Sequence, residues 1–239
     1  MDLIRYAVRP AVRKGFRILA AGRRAKAFHP VGVTVEGTAW PLHNEVLTLL
    51  GEPVPVTGRF SKGVGLPGDL PDVLGIALRF GAGEAAAVAF GAGEAAAVAF
   101  DTLLSSAGEG RFTRCLPLAS GSWSDAWLTT IQPYGEGRRR IWLAAQVTPG
   151  AVPLRSNSLQ QLRTRLAAAS LTVLLSASDG GPWTPVAHLE LRLGGSPTRF
   201  DPILNPPPGL SLQPDWLTSV REAAYLGSRR GAPAHRLSA

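Results

Sequence analysis

Two places in this sequence put reactive side chains where a strand would present them. The first is His29 in KAFHPVGVTVEGTAW, which has the same parity as Val31, Val33 and Val35. Extending the strand back through Pro30 aims the imidazole at the apolar side, where a histidine can move protons near neutral pH. A histidine packed at a strand's start fits the same residues. The second is Arg59-Phe60-Ser61 in PVPVTGRFSKG. Period-two alternation puts Phe60 on one face with Val54 and Val56, and Arg59 with Ser61 on the other. A guanidinium and a hydroxyl on one face can bind an anion and orient a neighbouring imidazole. An exposed strand face is the plain alternative.

A third place is near the C-terminus, where Arg221, Tyr225 and Arg229 recur every four residues. On a helix they form one stripe. Cationic neighbours lower a phenol's pKa from its usual value of about 10, and a tyrosinate is a strong anionic ligand for ferric haem iron.

Other templates fail. The histidines at 29, 43, 188 and 235 lack metal-ligand spacing, and no nucleophile elbow or paired-carboxylate motif stands out. GAGEAA after LGIALRF imitates a dinucleotide-binding turn, with Asp101 about 20 residues on. It belongs, however, to GAGEAAAVAF, written twice over residues 81–100, and the second copy interrupts the helix that such a turn requires. Two copies also fall short of a solenoid. Ten residues is an even insertion, so it preserves strand parity downstream. GVGLPG at 63–68 has Pro67 where a phosphate-cradling backbone would be needed.

The elements that must position these residues read as β. With 27 Gly, 20 Pro, 45% hydrophobic and 18% charged residues, the composition predicts short strands and many turns. Strands are expected around 31–35, 53–61, 74–80, 126–131, 140–147, 170–177 and 187–193, giving an antiparallel barrel or sandwich. Residues 158–169 predict a short helix. The prolines of FDPILNPPPGLSLQPDW predict an extended arm, followed by a helix from Pro214 or Asp215 to about Leu226, ended by Gly227.

Of the net charge of +8, residues 1–28 hold +7, as eight Lys/Arg against Asp2. Arg5, Arg9, Arg13 and Arg17 share a helical side with Ile4, Val8, Val12, Phe16 and Leu19 nearby. This basic helical segment is first read as a solvated helix wrapped on the domain, since charge runs are usually wet faces, with peripheral contact with an anionic membrane as the alternative. Nucleic acid is a poorer partner, because no aromatic platforms interleave with the basic residues. No apolar stretch reaches the ~18 residues of a membrane span. The lone Cys115 excludes an intrachain disulfide, and a reducing cytoplasm is the expected location.

Taken together, three blocks make the chain resemble the haem-dependent catalase family. His29-Pro30-Val31-Gly32 is similar to the family's distal histidine ahead of its first barrel strand, with Lys26 where the family has a propionate-binding arginine. RFSKGVGLPGDLPDVLGIALRF, residues 59–80, resembles the family's R-F-S, acidic-proline turn and G-[FI]-A-[VL]-[KR]-F. In residues 200–225, Pro208-Gly209, Pro214-Asp215, Arg221 and Tyr225 fall at the family's intervals.

The resemblance implies an α+β fold, a catalase-like antiparallel β-barrel with N-terminal and C-terminal helices. It divides the chain into a basic helical segment, 1–28, and a haem-binding barrel domain, 29–239. Tyr225 would ligate b-type ferric haem iron and Arg221 would hold it as tyrosinate. His29 would be the distal acid/base and Ser61 its hydrogen-bonding partner, while Arg59 and Lys26 bind propionates. The family's further propionate arginine, seven residues after the tyrosine, is Ala232 here, so Arg229 or Arg230 would substitute. The family's distal asparagine has no counterpart in Asp101-Thr-Leu-Leu-Ser-Ser. That departure points to peroxidase or organic-hydroperoxide chemistry, with a peroxide and a separate reductant as partners, over efficient catalase turnover. The short chain implies a smaller homo-oligomer than ordinary catalases form. The alternative is a non-catalytic carrier of haem or an apolar ligand, docked at a membrane surface.

Overall fold

The computed structural model describes residues 32–42, 50–81, 99–148, 153–196 and 200–214. The strands are β1 (Gly32–Pro41), β2 (Val54–Lys62), β3 (Leu74–Phe80), β4 (Phe100–Ala107), β5 (Trp127–Thr129), β6 (Tyr134–Glu136), β7 (Arg139–Val147), β8 (Leu171–Ser178), β9 (Thr184–Leu193) and β10 (Ser211–Leu212). One α-helix, α1 (Leu159–Ala168), is formed among the described residues. The antiparallel order β7-β5-β4-β3-β2-β1-β9-β8 closes through a β7–β8 pairing into an eight-stranded barrel, while β6 and β10 extend the sheet beside the first residues of β7.

Alternation decides which side chains fill the interior. Val33 and Val35, then Val56, Gly58 and Phe60, then Leu74, Ile76, Leu78 and Phe80 are buried, whereas the residues that alternate with them are half-buried on the outer face. Eight strands leave an interior just wide enough for side chains. Large rings occupy it: Phe60 meets Trp123 edge-on at 5.2 Å, and Phe80 stacks on Phe100 at 4.7 Å. Each fully buried ring contributes about 1.5–3 kcal/mol of hydrophobic stabilisation.

Phe80 and Phe100 are also a register pair of the antiparallel strands β3 and β4. The duplicated decapeptide therefore connects two antiparallel neighbours. A dinucleotide-binding turn needs a crossover between parallel strands, so this topology excludes it. Residues 82–98 themselves lie outside the described residues.

β1, β3, β5 and β8 begin, and β2, β4, β7 and β9 end, at one rim of the barrel. There, Trp123 N–H donates to Ser156 O at 3.3 Å, tying the loop after β4 to the segment before α1. α1 starts at Ser158, whose hydroxyl accepts from Gln161 N–H, a standard N-cap, and buries Leu162 and Leu166 one turn apart. Asn157, fully buried, donates to Leu70 O at 2.7 Å and to Ser120 O at 2.9 Å, joining three loops at the same rim.

The expected strands and the 158–169 helix are present. The 200–214 arm differs from the extended form that its prolines predict. Asp201 Oδ1 accepts from Ile203 N–H and Leu204 N–H, both at 3.2 Å, and folds the segment into a turn. Local carboxylate-to-amide bonding overrides the proline preference there. The expected helices over 1–28 and after Pro214 lie outside the described residues.

Candidate functional site

Arg59 and Ser61 lie on the outer face of β2, close to the rim where β1 begins. Arg59 is paired with Thr34 on β1 and Ala77 on β3; Ser61 is paired with Gly32 and Gly75. Each of the two side chains folds over a glycine on a neighbouring strand. A Cβ added to Gly32 would fall 2.9 Å from Arg59 Cζ and Nη2, and one added to Gly75 would fall 3.2 Å from Ser61 Oγ. Both glycines thus let polar side chains lie flat against the barrel.

The result is a half-buried wall of small residues, Gly32, Thr34, Ser61, Gly75, Ala77 and Ser105, with Arg59 across it. Small residues let a flat ring system approach the sheet, and the guanidinium offers a forked cation to a carboxylate. Among the described residues Ser61 Oγ makes no hydrogen bond. Its hydroxyl can therefore both donate to and accept from a group placed over the wall.

Below this wall, at the next outward position of β3, Arg79 forms a bidentate pair with the buried Asp101 of β4. Nε and Nη2 each donate to a carboxylate oxygen at 2.7 Å. The Asp101 bond is the chief cause that raises the Arg79 guanidinium pKa. Asp101 Oδ2 also accepts from Asp201 N–H at 2.7 Å and Asn205 Nδ2 at 3.1 Å, and Asp101 N–H donates to Asn205 O at 2.7 Å. The Arg79 guanidinium carbon lies 5.9 Å from the Phe200 ring centre. One aspartate thus latches residues 200–205, the start of the arm that leads towards Arg221 and Tyr225, onto the barrel wall.

Sequence reasoning did not identify this latch. It read Asp101 only as part of a dinucleotide decoy and as the place where an asparagine is missing. The available signal was charge, since Arg79 and Asp101 flank the duplicated decapeptide and are brought opposite each other by pairing across it.

Of the sequence-derived site residues, Arg59 and Ser61 are brought together. Lys26, His29, Arg221, Tyr225 and Arg229 lie outside the described residues. His29 precedes Gly32 by three residues in the chain. His188 takes no part in the wall, because it stacks on Trp40 of β1 with ring centres 6.2 Å apart. Among the described residues no group of three or more His, Cys, Asp or Glu is placed to hold a metal ion. None of their helices is long and apolar enough to cross a membrane.

Cys115 sits elsewhere, beside a buried arginine. Arg114 donates to Ser178 Oγ at 2.7 Å and lies over the rings of Trp183 and Trp142, 4.6 and 5.6 Å from their centres. Burial pushes the Cys115 thiol pKa up, with Trp142 and Arg114 opposing that shift. This cluster fastens the loop after β4 to the barrel's outer wall. No protein-family model matches the chain, and no curated protein matches it either.

Proposed function

We propose that this chain is a catalase-like haem protein that reduces peroxides at the expense of a separate donor. The observation that carries the reading is the pairing of Arg59 and Ser61 over Gly32 and Gly75. It provides a wall of small residues across β1 to β4 with one forked cation on β2, paired with β1, the strand that follows His29-Pro30-Val31. The flat wall fits a porphyrin face, and the guanidinium fits a propionate. Support also comes from the three sequence blocks, whose spacing supplies both sides of one cofactor in order.

When bound, ferric haem supplies the redox centre at which a peroxide O–O bond is cleaved. The residues of this chain divide the remaining work. Tyr225 would hold the iron through its phenolate, and Arg221, four residues earlier in the sequence, would favour the deprotonated oxygen by its charge. His29 takes the proton from one peroxide oxygen and delivers it to the other, the leaving one. Ser61 fixes the imidazole through its hydroxyl. Arg59, Lys26 and Arg229 bind the propionates as cations.

Donor-dependent turnover tests this reading. Peroxide consumption by the haem-loaded chain should accelerate in the presence of a phenolic donor, with oxidised donor formed in proportion. Rapid oxygen evolution unaffected by donor would overturn the preference for peroxidase chemistry. Peroxide consumption no faster than free haem gives would overturn the activity altogether.

A further inference from the structure

Arg114, 3% exposed, is the one buried arginine among the described residues, and no carboxylate among them bonds to it. Its Nη1 donates to Ser178 Oγ at 2.7 Å, its Nη2 to Gly181 O at 3.3 Å and its Nε to Gly110 O at 3.4 Å, all neutral acceptors. Each Nη carries a further N–H. Arg79 makes the contrast: it is less buried, yet it holds both oxygens of Asp101.

The rings around Arg114 add donors and no acceptors. Its guanidinium carbon lies over Trp183 and Trp142, and Trp127 meets Trp183 edge-on at 5.5 Å. Trp183 Nε1–H donates to Glu109 O at 2.8 Å, but the buried indole N–H groups of Trp127 and Trp142 make no hydrogen bond. Buried donors without an acceptor are rare in folded proteins and call for a partner. The acids nearby in the chain do not supply one, since Glu109 reaches the cluster through its backbone oxygen and Asp179 accepts from Gly181 N–H at 3.4 Å. Trp142 and Arg114 both favour a negative charge at the Cys115 sulfur, so these two donors face one point beside it. The thiol itself is not that charge, because burial pushes its pKa up. Burial lowers the Arg114 pKa, and the positive charge of Arg111 adds to that shift.

A buried cation, converging N–H donors and no acceptor describe an anion site. Guanidinium N–H groups lie in one plane, so the partner that fits them is a flat, forked acceptor. We infer that a small carboxylate binds beside Cys115, between the Arg114 Nη groups and Trp142 Nε1, on the outer wall where Trp142 of β7 pairs with Ser178 of β8. A carboxylate suits this indole-lined place better than phosphate, whose greater charge costs more to desolvate. Trp142, Trp183 and Cys115 are half-buried, so the ligand reaches the site from solvent along their edges. The inference is independent of haem binding.

Melting of the full chain in acetate, phosphate or chloride at matched ionic strength tests it. Acetate should raise the melting temperature saturably above its value in chloride, with a dissociation constant on the order of millimolar. W142F keeps an aromatic ring but loses the N–H, and should weaken the acetate effect about threefold or more. R114M should abolish it. Should R114M melt too low to assay, W142F still reads the site. Acetate no more stabilising than chloride would overturn the proposal, as would an acetate effect unchanged in either variant. So would stabilisation by phosphate without stabilisation by acetate, because the forked partner would then not be a carboxylate.

Discussion

The Arg59 side chain crosses the Cα of Gly32 on the neighbouring strand, leaving no room there for a Cβ. The atoms in the way belong to the far end of a flexible side chain, so Gly32→Ala should cost the fold little. We expect its melting temperature to remain within about 2 °C of the parent. The guanidinium, however, must move. If it binds a propionate, haem affinity should fall by about tenfold or more in Gly32→Ala and by a similar factor in Arg59→Ala. Haem titration followed by absorbance, with melting curves alongside, separates the two effects.

Asp101 joins a buried ion pair to three hydrogen bonds with residues 201 and 205. Asp101→Asn removes the charge but keeps the shape, leaving Arg79 without its carboxylate. The expected loss is about 2–4 kcal/mol in urea unfolding, together with faster proteolysis between residues 200 and 214. Equal stability would mean that the arm is held by other contacts.

The duplicated decapeptide gives a length test. Both copies end in Val-Ala-Phe, so deleting residues 81–90 leaves an identical phenylalanine ahead of Asp101. The Phe80 stacking partner and the β3–β4 register are then preserved by even parity. Roughly halving a loop changes closure entropy by about 0.6 kcal/mol, so the deletion should fold with near-parental stability. A melting curve of the deletion variant checks this.

The Cys115 thiol, pushed up by burial, should react slowly. Iodoacetamide at mildly alkaline pH should alkylate it at least about fivefold faster in denaturant than in the native chain. The folded chain holds this proton to higher pH than the unfolded chain does, so the contribution is complete below the unfolded thiol pKa and declines as pH rises through the alkaline range. Removing the thiol with Cys115→Ala should flatten that alkaline decline.

Much of the barrel was legible because its strands bury one face. In β3, Leu74, Ile76, Leu78 and Phe80 alternate cleanly with half-buried residues, and the pattern marks both the strand and its inward side. β4 was missed because FDTLLSSA buries polar residues on both faces. Asp101 is satisfied by Arg79 and the 200–205 segment, Thr102 lies 3.3 Å from the Tyr134 hydroxyl, and Ser106 donates to Leu118 O at 2.5 Å. Such satisfaction is tertiary and leaves no periodic trace. β6 and β10, at three and two residues, are too short to carry a pattern. At the site, alternation correctly put Arg59 and Ser61 on one outward face. The glycines beneath them and the Asp101 latch depend on cross-strand register, which a single sequence does not display.

Tyrosinate-ligated haem would show itself in one absorption spectrum. Full-length protein produced with adequate haem should purify with a Soret band, and Tyr225→Phe should shift or abolish that band. A parent protein without a Soret band, or an unchanged spectrum in Tyr225→Phe, would rule out ligation of haem iron by Tyr225.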